Sequence, residues 1–146
     1  DAVYGKLEPT YTPIGQVLGN PVWEKANLVI LRNAAGTGRS IQLHRKVAPI
    51  FELCLTEAIR RCPKYKVRSL GGYCIRHMRH NKKMPLSTHS WGCAFDINPD
   101  KNPMGSKLIT DLPTAFVAAF TEQGWNWGGS WKKTFDAMHF QFAVGV

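Results

Sequence analysis

No stretch of the chain approaches 18 consecutive apolar residues, so a membrane-spanning helix is not expected. No C-x-x-C pair occurs among Cys54, Cys62, Cys74 and Cys93, which argues against a thiolate zinc site. Four cysteines in 146 residues are also too few for a disulfide scaffold. Cys54 and Cys93 sit in apolar surroundings and read as small core residues, whereas Cys62 and Cys74 are the two that could pair in an oxidising space. Internal repeats, linkers and nucleic-acid-binding motifs are absent. No secretory leader is visible, and a first residue of Asp1 rather than Met suggests a processed or trimmed product. Acid is scarce: 10 Asp and Glu face 19 Lys and Arg, for a net charge of +9. Such a balance favours polyanionic partners, namely nucleic acid, anionic lipid or an acidic cell-wall polymer. The cations concentrate between 39 and 83 and include Arg60, Arg61, Arg68, Arg76, Arg79, Lys82 and Lys83.

What is present is a core. The apolar fraction is 44%, with 5 Trp, 4 Tyr and 7 Phe, which fits a packed globule of one domain. The pattern predicts an α+β fold over 1–146, with 1–42 as an extended segment wrapped over a core formed by 43–146. In the first segment, turn formers dominate and only 27–31 reads as a strand. Leu43, Val47, Ile50, Phe51, Cys54, Leu55, Ala58 and Ile59 recur at helical spacing, predicting a helix over 43–61 that Pro63 ends. A second helix is predicted over 111–123, stopping at Gly124. Strands are predicted at 67–70, 73–76, 93–98 and 138–142, forming a small antiparallel sheet.

Two blocks of residues carry chemistry. A hydrolytic zinc site needs three nitrogen or oxygen ligands, one open position and a nearby carboxylate to take a proton from water. The first block is Ser87-Thr-His89-Ser-Trp-Gly92-Cys-Ala94-Phe-Asp96. On a strand, Asp96, Ala94 and Gly92 share one face, while Cys93, Phe95 and Ile97 form an apolar face toward the core. A carboxylate among Gly and Ala suits a cleft floor, and a turn at Gly92 lets His89 reach the same site. The second block is Asp136-Ala-Met-His139-Phe-Gln-Phe142. There His139 shares a face with Gln141, and Asp136 lies in the turn leading in, placed to approach a water without binding the metal. His44, His77 and His80 lack such company and read as structural. Trp125, Trp127 and Trp131 read first as core and cleft wall, and second as a platform for peptide or sugar.

Ser87, His89, Gly92, Ala94 and Asp96, followed by Asp136 and His139, resemble the signature of the M15 metallopeptidases. That group includes D-Ala-D-Ala carboxypeptidases and dipeptidases, and the L-alanyl-D-glutamate endopeptidases of phage endolysins. The stretches Leu86–Gly92 and Trp127–Trp131 are most similar to the endolysin branch, and the resemblance runs over roughly 43–142. It implies a D-Ala-D-Ala carboxypeptidase-like fold and one zinc ion per chain, held by His89, Asp96 and His139. Asp136 would be the catalytic base, a role that many members give to Glu and the endolysin branch to Asp. Arg76, with Arg79 as the alternative, would polarise the scissile carbonyl. Ser87, Trp127 and Trp131 would bind substrate or support the ligands. The implied partner is bacterial peptidoglycan, cut at L-Ala–D-Glu or trimmed of terminal D-Ala, by a monomer that neither enters the membrane nor binds nucleic acid. The implied setting is host cytoplasm before release to the wall, or the virion. A non-catalytic zinc-stabilised binding module, as in the signalling domain of hedgehog proteins, is the reading from another class.

Overall fold

The computed structural model describes residues 3–142, so the ends of the range read as one domain lie outside the described residues. In chain order its elements are β1 (Thr10–Tyr11), β2 (Val17–Leu18), α1 (Pro21–Asn27), β3 (Leu28–Leu31), β4 (Ile41–His44), α2 (Ala48–Arg61), β5 (Leu70–Gly71), β6 (Ala94–Ile97), β7 (Met104–Gly105), α3 (Thr114–Thr121), β8 (Asn126–Trp127), β9 (Phe135–Asp136) and β10 (His139–Gln141). The class is α+β, as the sequence pattern predicts. One antiparallel sheet has the order β5-β6-β10-β8, and β1-β2, β3-β4 and β7-β9 form two-stranded ladders.

The central pair is β6 and β10, in the register His139↔Asp96, Phe140↔Phe95 and Gln141↔Ala94. Alternation on each strand separates chemistry from packing. Phe95 and Phe140 are fully buried and stack with ring planes 3° apart and centroids 5.0 Å apart. Phe51 of α2 meets Phe95 edge-on, and Phe120 of α3 lies 5.0 Å from Phe95 and 5.2 Å from Phe140. Each such ring contributes about 1.5–3 kcal/mol through burial. The opposite face of the same two strands carries Asp96 and His139. The aromatic core thus fixes the platform on which both ligands stand.

Several boundaries differ from the sequence reading. α2 begins at Ala48 rather than at 43, because 41–44 pairs with β3 from Leu28↔His44 to Leu31↔Ile41. Leu43 is buried as a strand residue, so its place in the helical stripe was coincidental. Pro49 then suits the first turn of α2, where its missing N–H costs nothing. Helix α1 lies inside the segment read as extended, and Asn20 caps it through Val22 N and Trp23 N. The expected strand pair 67–70 and 73–76 reduces to β5; Tyr73 N donates instead to Gln42 O, and Cys74 N to His89 O. α3 starts at Thr114, after Pro113 in an extended conformation. Asp111 does not cap it: its Oδ1 accepts from Tyr65 Oη and Asn102 Nδ2. All four cysteines, Cys62 and Cys74 included, are free thiols.

Candidate metal centre

His89 sits in a short 3-10 turn, Thr88–Trp91, that enters β6. Ser87 begins the turn, its Oγ accepting from His89 N at 3.3 Å. Gly92 ends it at φ 69°, a left-handed conformation, and a Cβ there would lie 2.7 Å from His44 N. Both facts demand glycine. The turn swings His89 onto the face of Asp96, and β10 brings His139 opposite Asp96 in register.

The three side chains meet in a near-equilateral triangle. His89 Nε2 is 3.2 Å from Asp96 Oδ1 and 3.2 Å from His139 Nδ1, and His139 Nδ1 is 3.3 Å from Asp96 Oδ1. Ligands about 2.0–2.1 Å from a tetrahedral zinc are separated from each other by about 3.3–3.4 Å, so the spacing fits that ion. The outer nitrogens decide the tautomers. His89 Nδ1 donates to Gly72 O at 2.8 Å, and His139 Nε2 donates to Gln141 Oε1 at 2.8 Å. Both inner nitrogens therefore present lone pairs beside a carboxylate. Three converging lone pairs repel one another unless a cation lies among them. The titration of the side chains expresses the same demand. With a proton standing in for the cation, burial pushes the Asp96 carboxyl up, but protonated His139 and His89 beside it outweigh this and hold the group well below the usual carboxylate range. Burial pulls His139 down, and Asp96 reverses this and raises it. His89 and His139 are 2% and 5% exposed, so bulk water reaches the cluster mainly through the half-buried Asp96 carboxylate. The donor set fits zinc, and the three residues are a metal-competent cluster found among the described residues.

His139 opens onto a cleft of about 750 Å³ whose lining includes Asp136, Arg76, Arg79, Ser87, Trp131 and Gln141. Asp136 belongs to β9, and its buried Oδ1 has no hydrogen-bond partner. Burial pushes the Asp136 carboxyl up, while His139, His89 and Arg76 pull it back and Asp96 adds to the rise. An unpartnered buried carboxylate oxygen is costly to keep, and a position beside a metal-competent cluster gives it a use. Glycine makes room for it: a Cβ on Gly128 would sit 2.3 Å from Asp136 O and 2.9 Å from Asp136 Cβ.

Arg76 lines the same cleft, and its backbone is tied to the His89 turn through Ser90 Oγ and Ser87 N. Arg79, the alternative cation, reaches Thr134 Oγ1 at 3.3 Å on the opposite wall. Trp131 is 38% exposed, with its ring centroid 5.4 Å from that of His139. Trp127 faces elsewhere: its Nε1 donates to Ala137 O at 2.7 Å and its ring stacks on Phe140, so it braces the turn after Asp136 from the core. Trp125 is core. Sequence reasoning assigned no role to Gln141, Thr88 or Gly72. Strand parity put Gln141 beside His139 and was the available signal for it; a backbone acceptor such as Gly72 O leaves no trace in side-chain identity. A separate groove of about 490 Å³ between α2 and α3, lined by Ile50, Leu53 and Ala119 among others, holds none of the cluster.

A family model described as D-alanyl-D-alanine carboxypeptidase matches residues 80–142. That span contains His89, Asp96, Asp136 and His139 and excludes Arg76. No curated protein and no solved structure gives a significant match. The match covers less than half of the chain, so the likeness to that family is one of residues 80–142, the segment that carries the metal-competent cluster.

Proposed function

We propose that the chain is a zinc-dependent peptidase that cleaves an amide bond in the peptidoglycan stem peptide, with L-Ala–D-Glu as the first candidate bond. The observation that carries this reading is the lone-pair triangle of His89, Asp96 and His139 beside an unpartnered Asp136 carboxylate in one cleft. Zinc held there would supply Lewis-acid chemistry, polarising a carbonyl and lowering the pKa of a water toward neutrality. Asp136 takes the proton of the attacking water on its carboxylate and returns it to the departing amine nitrogen. Arg76, or Arg79 in the same cleft, provides positive charge where the carbonyl oxygen becomes an oxyanion. Trp131 walls the cleft beside His139. The cationic lining formed by Arg76, Arg79 and Lys133 suits the carboxylates of a stem peptide. A monomer acting on the wall as a phage lysin, held in the host cytoplasm until release or carried on the virion, is consistent with the endolysin-like stretches around His89 and Trp127.

One observation favours a second reading. The matching family is described as a D-alanyl-D-alanine carboxypeptidase, an enzyme that trims terminal D-Ala. A non-catalytic zinc module is disfavoured because it has no use for a desolvated carboxylate and a cation in the same cleft. Mass spectrometry of peptidoglycan digested by the protein separates the readings. New amino termini on an acidic D-residue are expected. Release of free D-Ala would reassign the enzyme as a carboxypeptidase, and an unchanged digest would remove the peptidase reading.

A further inference from the structure

We propose that Gln141 is a positioning residue for the metal centre, its side-chain oxygen holding the tautomer and ring orientation of His139 while Thr88 braces the Gln141 amide. The inference rests on the zinc reading above. His139 can offer Nδ1 to the triangle only if its proton sits on Nε2, and Nε2 lies 2.8 Å from Gln141 Oε1. A neutral amide is an unusual choice where metal-bound histidines commonly lean on a carboxylate or a backbone carbonyl. Its weakness is that an amide can rotate and present a donor nitrogen, which would force the other tautomer. A hydroxyl accepts as well as donates, so Thr88 braces the amide, and the proton that a metal on Nδ1 leaves on Nε2 selects its oxygen. Thr88 Oγ1 donates to the same Gln141 oxygen at 3.3 Å, so two donors converge on one acceptor. Ala94, opposite Gln141 in register, has no polar side-chain atom to compete.

The arrangement also links the two elements that carry histidine ligands. Gln141 stands two residues beyond His139 on β10, and Thr88 immediately precedes His89 in the 3-10 turn. One oxygen atom thus sets the rotation of one ligand and ties down the base of the other.

Competition between the protein and a chromogenic chelator for zinc, at fixed neutral pH, tests the proposal without reference to activity. Gln141→Leu should weaken zinc binding by about 10–100-fold. Gln141→Glu keeps an acceptor in place and should bind zinc at least as tightly as the wild type. Thr88→Val should shift affinity in the same direction as Gln141→Leu, by less. Melting of the zinc-free proteins controls for folding, and if Gln141→Leu does not fold, the Glu and Thr88→Val variants carry the test. Equal affinities for wild type, Gln141→Leu and Thr88→Val would overturn the positioning role, as would a Gln141→Glu variant as weak as Gln141→Leu. A wild type that binds no zinc would overturn the metal reading itself, and this proposal with it.

Discussion

Asp136→Asn should lower kcat on a muropeptide by about 10²–10⁴-fold, the range for losing a positioned general base. Zinc content should stay near that of the wild type, because Asp136 lies outside the triangle of His89, Asp96 and His139. Folding should survive too. The substitution is isosteric, and it removes a charge that the fold desolvates without a hydrogen-bond partner on Oδ1. Loss of rate with no loss of Tm is the signature of a residue kept for chemistry at a cost in stability. The pH profile supplies an independent check. A base works only when deprotonated, and burial raises the Asp136 pKa above the ordinary carboxylate value. The rate of the wild type should therefore fall as pH drops through that raised value, and the residual rate of Asp136→Asn should lack this limb. An Asn variant with an unchanged rate would remove Asp136 from the proton-transfer step.

His89→Ala should lose both zinc binding and measurable hydrolysis. The reason is geometric: with one apex gone, Asp96 Oδ1 and His139 Nδ1 remain as a pair 3.3 Å apart, one ligand short of the three that a catalytic zinc requires. The effect should also appear as thermal stability. A ligand at about a hundred times its Kd stabilises the fold by about 2.7 kcal/mol. In a domain of this size, chelation should then lower the wild-type Tm by about 5–10 °C. His89→Ala should start from the lower value and not respond to chelator. A variant that still shows the full zinc-dependent shift would show that the metal binds somewhere other than the triangle.

These two residues also show how much could be read from the chain alone. Period-2 alternation in Cys93–Ile97 and in His139–Phe142 placed Asp96 and His139 on a polar face and the phenylalanines behind them. The register Phe140↔Phe95 follows that division. A strand of four residues with one strictly apolar face leaves little freedom. The helix starting at 43 failed for the converse reason. Leu43 and Val47 are four apart and both buried, but one belongs to β4 and the other to the turn before α2. Spacing cannot tell a continuous helix from a strand and a helix that bury the same side. The pair 67–70 and 73–76 failed because the backbone of 73 and 74 bonds to β4 and to the His89 turn, partners distant in sequence. The supports of the site were hidden by the same nonlocality. Gly72 O, 17 residues from the histidine it accepts from, is chosen by topology alone. Gly128 stands in sequence only as part of the Trp127–Trp131 stretch, whereas its necessity comes from the Asp136 backbone pressed against it.

The central claim is that the lone-pair triangle exists to hold a metal ion. Elemental analysis of the purified wild-type protein, dialysed against metal-free buffer, addresses it directly. About one zinc per chain is expected, retained through dialysis and removed by a strong chelator. Protein that contains no metal, and that neither takes up zinc nor gains stability when zinc is added back, would contradict it.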